Sequence, residues 1–486
     1  MFSRLTGSVT LLLGAGLLLM GCDARPSGRV VSEPAPAPRR PAPPGAPNVL
    51  LITLDTVRRD HFGCYGDTRG ITPHFDALAQ DGVRFERAYS TAAATPMAHA
   101  SILTGLNNYE HKVRVIAGAG GFRLPADIPT AATVLREAGW NTAAFLSAFP
   151  VSEYYGLHRG FDHWDNGLSG AAGEVFRPDA GDNKLRWDIG AHQRRSDVTT
   201  DRFLEWLAKA EPPVFVWIHY WDPHDLLILP PQGVLDRFPP KTVTPVDRAR
   251  SIYAAELAYV DQQFGRVVQA LRERGWYDNT AVAVISDHGE GLGDHDWYHH
   301  RLLYDEQIHV PFLLRLPSGP RGVGVGELVR ATDWYPTMLD YLRQAAPRPT
   351  FGRTLRPLIE GQADEPRVAY ADQLNKFDLN SNIQRQRPKD GLIYSIVSGD
   401  WKLIYNDEHP GEHQLYRLST DPRERENLFS GEPEKAAELI TLLEGLAPFQ
   451  REPFKSDGAL DPEAYRALKA LGYIDDGSPS APAERP

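Results

Sequence analysis

"NVLLITLD", residues 48–55, is a mostly apolar run that ends in a carboxylate, Asp55. Its apolar side chains follow one another instead of alternating with polar ones. A strand built from it is buried on both faces, as in a parallel sheet covered by helices on either side. Three more segments share the pattern: "NTAAFLSAF" (141–149), "VFVWIHYWD" (214–222) and "TAVAVISDH" (280–288). Helical stretches separate them. "TAATVLREAGW" (130–140) and "IYAAELAYVDQQFGRVVQALRERGW" (252–276) repeat apolar residues at helical spacing and stop near glycine. Strands alternating with helices predict an α/β sandwich, with a large, mostly parallel central sheet flanked by helices.

The chain has 486 residues, 42% of them hydrophobic, which suffices for one large domain and a small one. The large domain is expected over 48–364. From about residue 365 the pattern changes. "LIYSIVSGDWKLIYN" (392–406) and "HQLYRLSTD" (413–421) read as antiparallel strands, and "EPEKAAELITLLEGL" (432–446) as an amphipathic helix. These predict a small C-terminal α+β subdomain over 365–447. A tail, 448–486, carries one more short helix in "LDPEAYRALKALGYI" (460–474) and an expected disordered end at 475–486. The net charge of −11, without a basic stripe, argues against nucleic acid as a partner.

Upstream of Asn48, Arg4 precedes the apolar run "VTLLLGAGLLLMGC", which ends at Cys22. A positive start, a short apolar core and a small residue before the cut describe a secretory signal over 1–22. The run is too short for a comfortable membrane span. "LMGC" (19–22) resembles a bacterial lipobox, which would make Cys22 the lipidated first residue of the mature protein. Residues 23–47 are a Pro/Ala-rich tether, extended and semi-rigid. Together they predict a protein of the bacterial cell envelope, anchored to a membrane through lipid and facing outside the cytoplasm. Cys64, the second of two cysteines, reads as a small buried residue.

In open parallel sheets, ligands bind beyond the carboxyl ends of the strands. Asp55 ends the first strand, His219, Asp222 and His224 end or follow the third, and Asp287 and His288 end the fourth. Acids and imidazoles distant in sequence therefore collect at one edge. Asp55, Asp287 and His288 form a candidate site for one divalent metal ion: carboxylates suit Ca, and the imidazole admits Mn or Zn. "AAATPMAHASILTG" (92–105) raises a separate question at Thr95. Threonine is a good helix N-cap and Pro96 suits the first helical turn. Equally, the free amides of a helix start favour a phosphate or sulfate, and a metal-bound hydroxyl there can act as a nucleophile. His99, one turn later, would face the same anion.

"NVLLITLDTVRRDHFGCYG", "HASILTG", "RGFDHWD", "HYWDPH", "SDHGEGLGDH" with "LYDEQIHVPFLLRLP", and "DWKLIYN" with "HQLYRLSTDPRERENL" occur in this order. The set resembles the sulfatase family of the alkaline-phosphatase superfamily, from Asn48 to about Leu446. The resemblance implies an alkaline-phosphatase-like sandwich and a hydrolase of sulfate or phosphate esters, with a small-molecule, glycan or lipid ester as substrate. It matches Asp55, Asp287 and His288 to metal ligands, Thr95 to the nucleophile, and His224 to a histidine that assists the leaving group. Thr56 would be a weak fourth ligand. A Lys or His normally follows the "SDHGE" segment. Here His299 and His300 both qualify; the spacing does not choose between them, and His299 is preferred.

The chain also departs from the family. Common sulfatases oxidise a cysteine or serine to formylglycine, within a motif that continues with Pro and Arg. Here the corresponding residues are Thr95, Met97 and His99, with Ala98 for the usual serine. Threonine does not yield formylglycine. The usual lysine is absent from "FLSAFPVSEYYGLHRG" (145–160), and the usual asparagine from "KVRVIAGAG" (112–120). Related phosphodiesterases and phosphoethanolamine transferases use a metal-bound threonine, so phosphoryl chemistry stands beside sulfate chemistry. A transferase and a non-catalytic binding relative are the alternatives to a hydrolase.

Overall fold

The computed structural model describes residues 38–118, 121–168, 192–224, 226, 228–453 and 462–474. The expected signal sequence with Cys22, most of the tether and the end at 475–486 lie outside them.

Eight strands make the main sheet: β1 (Asn48–Leu54), β2 (Val83–Tyr89), β3 (Asn141–Phe145), β4 (His163–Asp165), β5 (Val214–Tyr220), β6 (Thr280–Ser286), β7 (His309–Arg315) and β8 (Val323–Arg330). Their spatial order is β4-β3-β5-β1-β6-β7-β2-β8. Only β7 runs against its neighbours; the other pairings are parallel. β1 lies between β5 and β6, and all seven of its residues are buried. Its side chains divide between two apolar layers. Val49 and Leu51 join the layer of helices Thr95–Thr104, Ala131–Glu137 and Trp334–Tyr341. Leu50, Ile52 and Leu54 join that of helices Pro73–Gln80, Ser196–Leu207 and Pro245–Glu273. Each of these buried aliphatic side chains contributes about 1.5–3 kcal/mol. The continuous apolar run is the sequence trace of a strand covered twice.

The long helix starts at Pro245, seven residues before the first residue expected, because Thr244 caps it by accepting from the Asp247 amide and Pro245 fits the first turn. Cys64 is half-buried, not fully buried, and packs at the edge of the second layer.

The second sheet is antiparallel, in the order β12-β11-β10-β9, from β9 (Val368–Gln373), β10 (Ile393–Ser398), β11 (Trp401–Asn406) and β12 (Gln414–Arg417). Helix Pro433–Leu446 packs Ala436, Leu439 and Leu443 against Tyr370, Ile396, Leu403 and Leu415. Buried ion pairs tie this sheet to the larger one: Arg114 with Asp372, and Lys402 with Asp305 at 2.7 Å and Glu424 at 2.8 Å. Helix Pro462–Ala470 follows, and Leu468, Tyr473 and Ile474 enter the same apolar layer as the Thr95–Thr104 helix.

Candidate active site

The parallel register brings the acids together. Leu54 pairs with Tyr220 on β5 and with Ser286 on β6. The next residues, Asp55 and Asp287, leave the sheet side by side, fixed by Asp55 N–H to Tyr220 O (2.9 Å) and Asp287 N–H to Leu54 O (3.2 Å). Both are fully buried. His288 follows at once. Its Nδ1–H donates to Gly289 O at 3.0 Å, so its Nε2 carries a lone pair. That Nε2 lies 3.4 Å from Asp287 Oδ2 and 4.0 Å from Asp55 Oδ1.

These three residues each offer a ligand atom within 4.8 Å of the others. Asp55 Oδ1 and Asp287 Oδ2 are buried without a hydrogen-bond partner among the described residues. Burial, and next the Asp287 carboxylate, push Asp55 well above the usual range; the nearby Thr95 hydroxyl opposes this. Burial does the same to Asp287, against the amides of His288 and Thr56. Two such carboxylates beside an imidazole lone pair fit a divalent cation, which relieves both penalties. Thr56 is not a fourth ligand. Its hydroxyl donates to Asp55 O at 2.8 Å, and its amide donates to Asp287 Oδ1 at 3.2 Å. It does so in the left-handed region, at φ 55°, a strained conformation for a β-branched residue. Thr56 thus fixes one Asp287 carboxylate oxygen through its amide, while its hydroxyl proton is taken by the Asp55 backbone carbonyl.

Thr95 is the first residue of its helix; the cap position is Ala94, and no side chain caps the helix. The cap reading of Thr95 therefore fails, because its hydroxyl points elsewhere. Oγ1 lies 3.4 Å from His288 Nε2, and Thr95 is fully buried. His99, expected to face an anion, has both ring nitrogens engaged within the protein, and its Nδ1 also lies 3.5 Å from Asp287 Oδ2. Its Nδ1–H donates to Thr95 O at 2.9 Å, and its Nε2 accepts from the Thr53 hydroxyl at 2.9 Å. Thr53 Oγ1 in turn accepts from Trp217 Nε1 at 2.8 Å. Burial lowers the His99 pKa to about 4, against the pull of the Thr95 carbonyl, so the ring is neutral. His99 is a strut that holds the Thr95 turn to β1; a neutral ring does not neutralise an oxyanion.

The remaining imidazoles lie around the cluster. His219 Nε2 bonds Asp55 Oδ2 at 3.1 Å, behind the carboxylate. Asp222 is outside the cluster: it accepts from the Ser196 amide (3.0 Å) and hydroxyl (2.6 Å), and burial raises it to about 7. His224 stacks on Trp221 at 3.7 Å. Burial, and then His300 and His288, hold His224 well below its ordinary pKa. Of the adjacent pair, His300 is the one whose ring lies 4.7 Å from His288 and 5.0 Å from His224. Its buried Nε2 has no hydrogen-bond partner among the described residues. The preferred His299 packs edge-on to Trp297 at 5.6 Å, because the Trp297 indole bonds His300 O and turns the chain so that His300 points inward.

Three participants do not stand out in the sequence. Glu290 brings a third carboxylate, 3.3 Å from His300 Nδ1. Arg301 is 3% exposed and paired with Asp378 at 3.0 Å. Tyr473 places its hydroxyl 2.7 Å from His224 Nε2. Glu290 stands in the "SDHGE" run and can be found from the sequence; Tyr473, 173 residues beyond His300, cannot.

Comparison with known proteins places this geometry. The family model described as Sulfatase matches residues 47–344, more than half of the chain, and the model for the N-sulphoglucosamine sulphohydrolase C-terminal region matches 293–449. An arylsulfatase of Clostridium perfringens is 25% identical over 80% of this chain and 91% of its own length. An N-acetylglucosamine-6-O-sulfatase of Bacteroides thetaiotaomicron is 24% identical over 82% and 86%. Among solved structures, a phosphonate monoester hydrolase of Agrobacterium radiobacter has the same fold, with a TM-score of 0.68 and 24% identity, covering 82% of this chain and 95% of that one. With its mostly parallel eight-stranded sheet and smaller antiparallel one, the chain belongs to the sulfatase family of the alkaline-phosphatase superfamily and is a hydrolase of the sulfuric-ester class.

Proposed function

We propose that the protein hydrolyses sulfate esters through the Thr95 hydroxyl, with one divalent ion (Ca, Mn or Zn) held by Asp55, Asp287 and His288. The carrying observation is that Thr95 Oγ1 lies 3.4 Å from His288 Nε2 and caps nothing. When bound, the ion supplies positive charge against the transferred group and a lower pKa for a coordinated hydroxyl. Thr95 Oγ, its proton lost to bulk water, attacks sulfur as the ester S–O bond breaks, and the alcohol leaves toward His224. The free amides at the start of the Thr95–Thr104 helix face the oxyanion, and the His300 ring, held neutral by burial, lines the site beside His288. Burial holds the ring of His224 neutral; an anionic ester beside it raises its pKa, so that it can carry the proton for the departing oxygen. Water, giving a proton to neutral His224, then attacks the sulfur; the Thr95 Oγ–S bond breaks, sulfate leaves and Thr95 takes back a proton.

The names of the relatives support an aryl or glycan sulfate as substrate. A second reading, hydrolysis of phosphate or phosphonate esters, is favoured by the threonine itself and by the fold shared with a phosphonate monoester hydrolase. The lipobox-like "LMGC" and the Pro/Ala tether support action outside the cytoplasm on a lipid anchor at Cys22. The test is turnover of p-nitrophenyl sulfate, p-nitrophenyl phosphate and a phenylphosphonate monoester by the full chain with each metal added in turn. Thr95→Ala is expected to abolish turnover and Thr95→Ser to keep part of it. Equal rates in Thr95→Ala would overturn the nucleophile, and a preference for phosphorus esters would select the second reading.

A further inference from the structure

Helix Pro462–Ala470 ends in a tight left-handed turn. Gly472 adopts φ 78°, and the amide of Tyr473 reaches back to Leu468 O at 2.8 Å. The turn reverses the chain and drives Tyr473 inward, where it is 3% exposed. Leu468 and Ile474 anchor the segment on both sides in the main apolar layer. Asn380 Nδ2 also donates to Gly472 O at 3.4 Å.

What the inserted ring touches is specific. Its hydroxyl bonds His224 Nε2 at 2.7 Å, and the Thr95 hydroxyl is within interaction range of the same phenol. Arg301 lies over the ring at 5.6 Å; His224 and His300 stand 5.9 Å and 6.4 Å from it. On the hydrolase reading above, sulfur must sit beside Thr95 with the ester oxygen facing His224. A phenol oxygen already stands on that line, in a cage of imidazoles and a guanidinium that suits an aromatic ring.

We propose that segment 462–474 is an occluding strap whose Tyr473 phenol holds the leaving-group position, and that esters of aromatic alcohols displace it because they present the same ring and oxygen. The proposal rests on the hydrolase reading for its kinetic arm only. The experiment compares the full chain with Tyr473→Ala, Tyr473→Phe and Leu468→Ala. KM for p-nitrophenyl sulfate and phosphate is measured, and p-cresol, the side chain of tyrosine as a free molecule, is titrated calorimetrically. Tyr473→Ala and Leu468→Ala are expected to lower KM about tenfold, the scale of one lost competing contact. Tyr473→Phe, which keeps the ring and loses the bond to His224, is expected to lower it less. p-Cresol should bind Tyr473→Ala and not the wild type. A raised KM in Tyr473→Ala, or p-cresol binding equally to both chains, would overturn the strap. If no chain turns over any ester, the hydrolase reading falls and the titration still decides the strap. Should Tyr473→Ala not fold, a lowered KM in Leu468→Ala and Tyr473→Phe supports the strap and a raised one overturns it.

Discussion

Asp287→Asn tests the candidate metal centre without moving an atom. Asp287 Oδ1 accepts from the amides of Thr56 (3.2 Å) and His288 (2.7 Å), and an asparagine oxygen keeps both bonds. Oδ2 is buried without a hydrogen-bond partner among the described residues, 3.4 Å from the lone pair of His288 Nε2. An amide nitrogen in its place brings a proton to that lone pair and removes one of two adjacent negative charges. Without metal at pH 7, Asp287→Asn should therefore be more stable than the wild type by about 1–3 kcal/mol, the scale of an unsatisfied buried polar group. Burial raises the Asp287 pKa in the folded chain. The folded state then holds the proton more tightly than the unfolded one, so wild-type stability falls as pH rises from the ordinary carboxylate value of about 3.9 through the raised folded value. The advantage of Asp287→Asn should be present at pH 7 and vanish below pH about 4. Metal should reverse the order: at a hundredfold excess over Kd the wild type gains about 2.7 kcal/mol, and the variant gains nothing. Urea unfolding with a chelator, then with Ca, Mn or Zn, at both pH values reads all of this. A metal-free variant less stable than the wild type, or equal metal stabilisation of both, would refute the cation site.

Two further predictions concern the surrounding imidazoles and the link between sheets. His300→Ala, which removes a buried neutral ring packed between His288 and His224, should raise KM for the ester about fivefold, the loss of one neutral polar contact, while His299→Ala leaves it within twofold; steady-state kinetics separates them, and the reverse order would return the role to His299. Lys402→Met strands the buried Asp305 and Glu424 carboxylates and should cost about 3–5 kcal/mol in urea unfolding at pH 7; a loss under 1 kcal/mol would mean that water reaches the pair.

The fold is legible in the sequence where burial is complete. β1, β3, β5 and β6 carry continuous apolar runs because they lie inside the sheet between two layers. β2, β4 and β8 carry no such signal, and the buried apolar run of β7, Val310 to Leu314, is broken by a proline. β2 mixes Arg and Glu with apolar residues, β7 contains Pro311, and β8 has two glycines. At the site, Asp55, Asp287 and His288 are legible because strand ends in a parallel sheet converge whatever the intervening sequence does. For His99 the pattern misleads: helical spacing does bring it back under Thr95, but its donor is spent on the Thr95 carbonyl. The choice between His299 and His300 depends on which way a short irregular turn faces, and no periodicity governs that. Tyr473 illustrates a different limit. A small helix with a tyrosine after a glycine is ordinary sequence; only packing brings it to His224.

On the proposed mechanism, threonine in place of an oxidised nucleophile moves the difficulty of the reaction. A sulfate or phosphate group on Thr95 has one oxygen on its carbon and no neighbouring hydroxyl to expel it, so release requires water to attack the transferred group. The structure suits that second step better than the first. Burial keeps His224 neutral at pH 7, a state that takes a proton from water but does not give one to a leaving alcohol. The first step needs the charge of the bound ester to raise that pKa, or an alcohol acidic enough to leave without help. Phenols are such alcohols, and the phenol of Tyr473 already occupies the position from which one would depart. The protonation state of His224, the aromatic cage around Tyr473 and the single oxygen of Thr95 thus point the same way, toward esters whose leaving group is good and whose release by water is the step the site is built to assist.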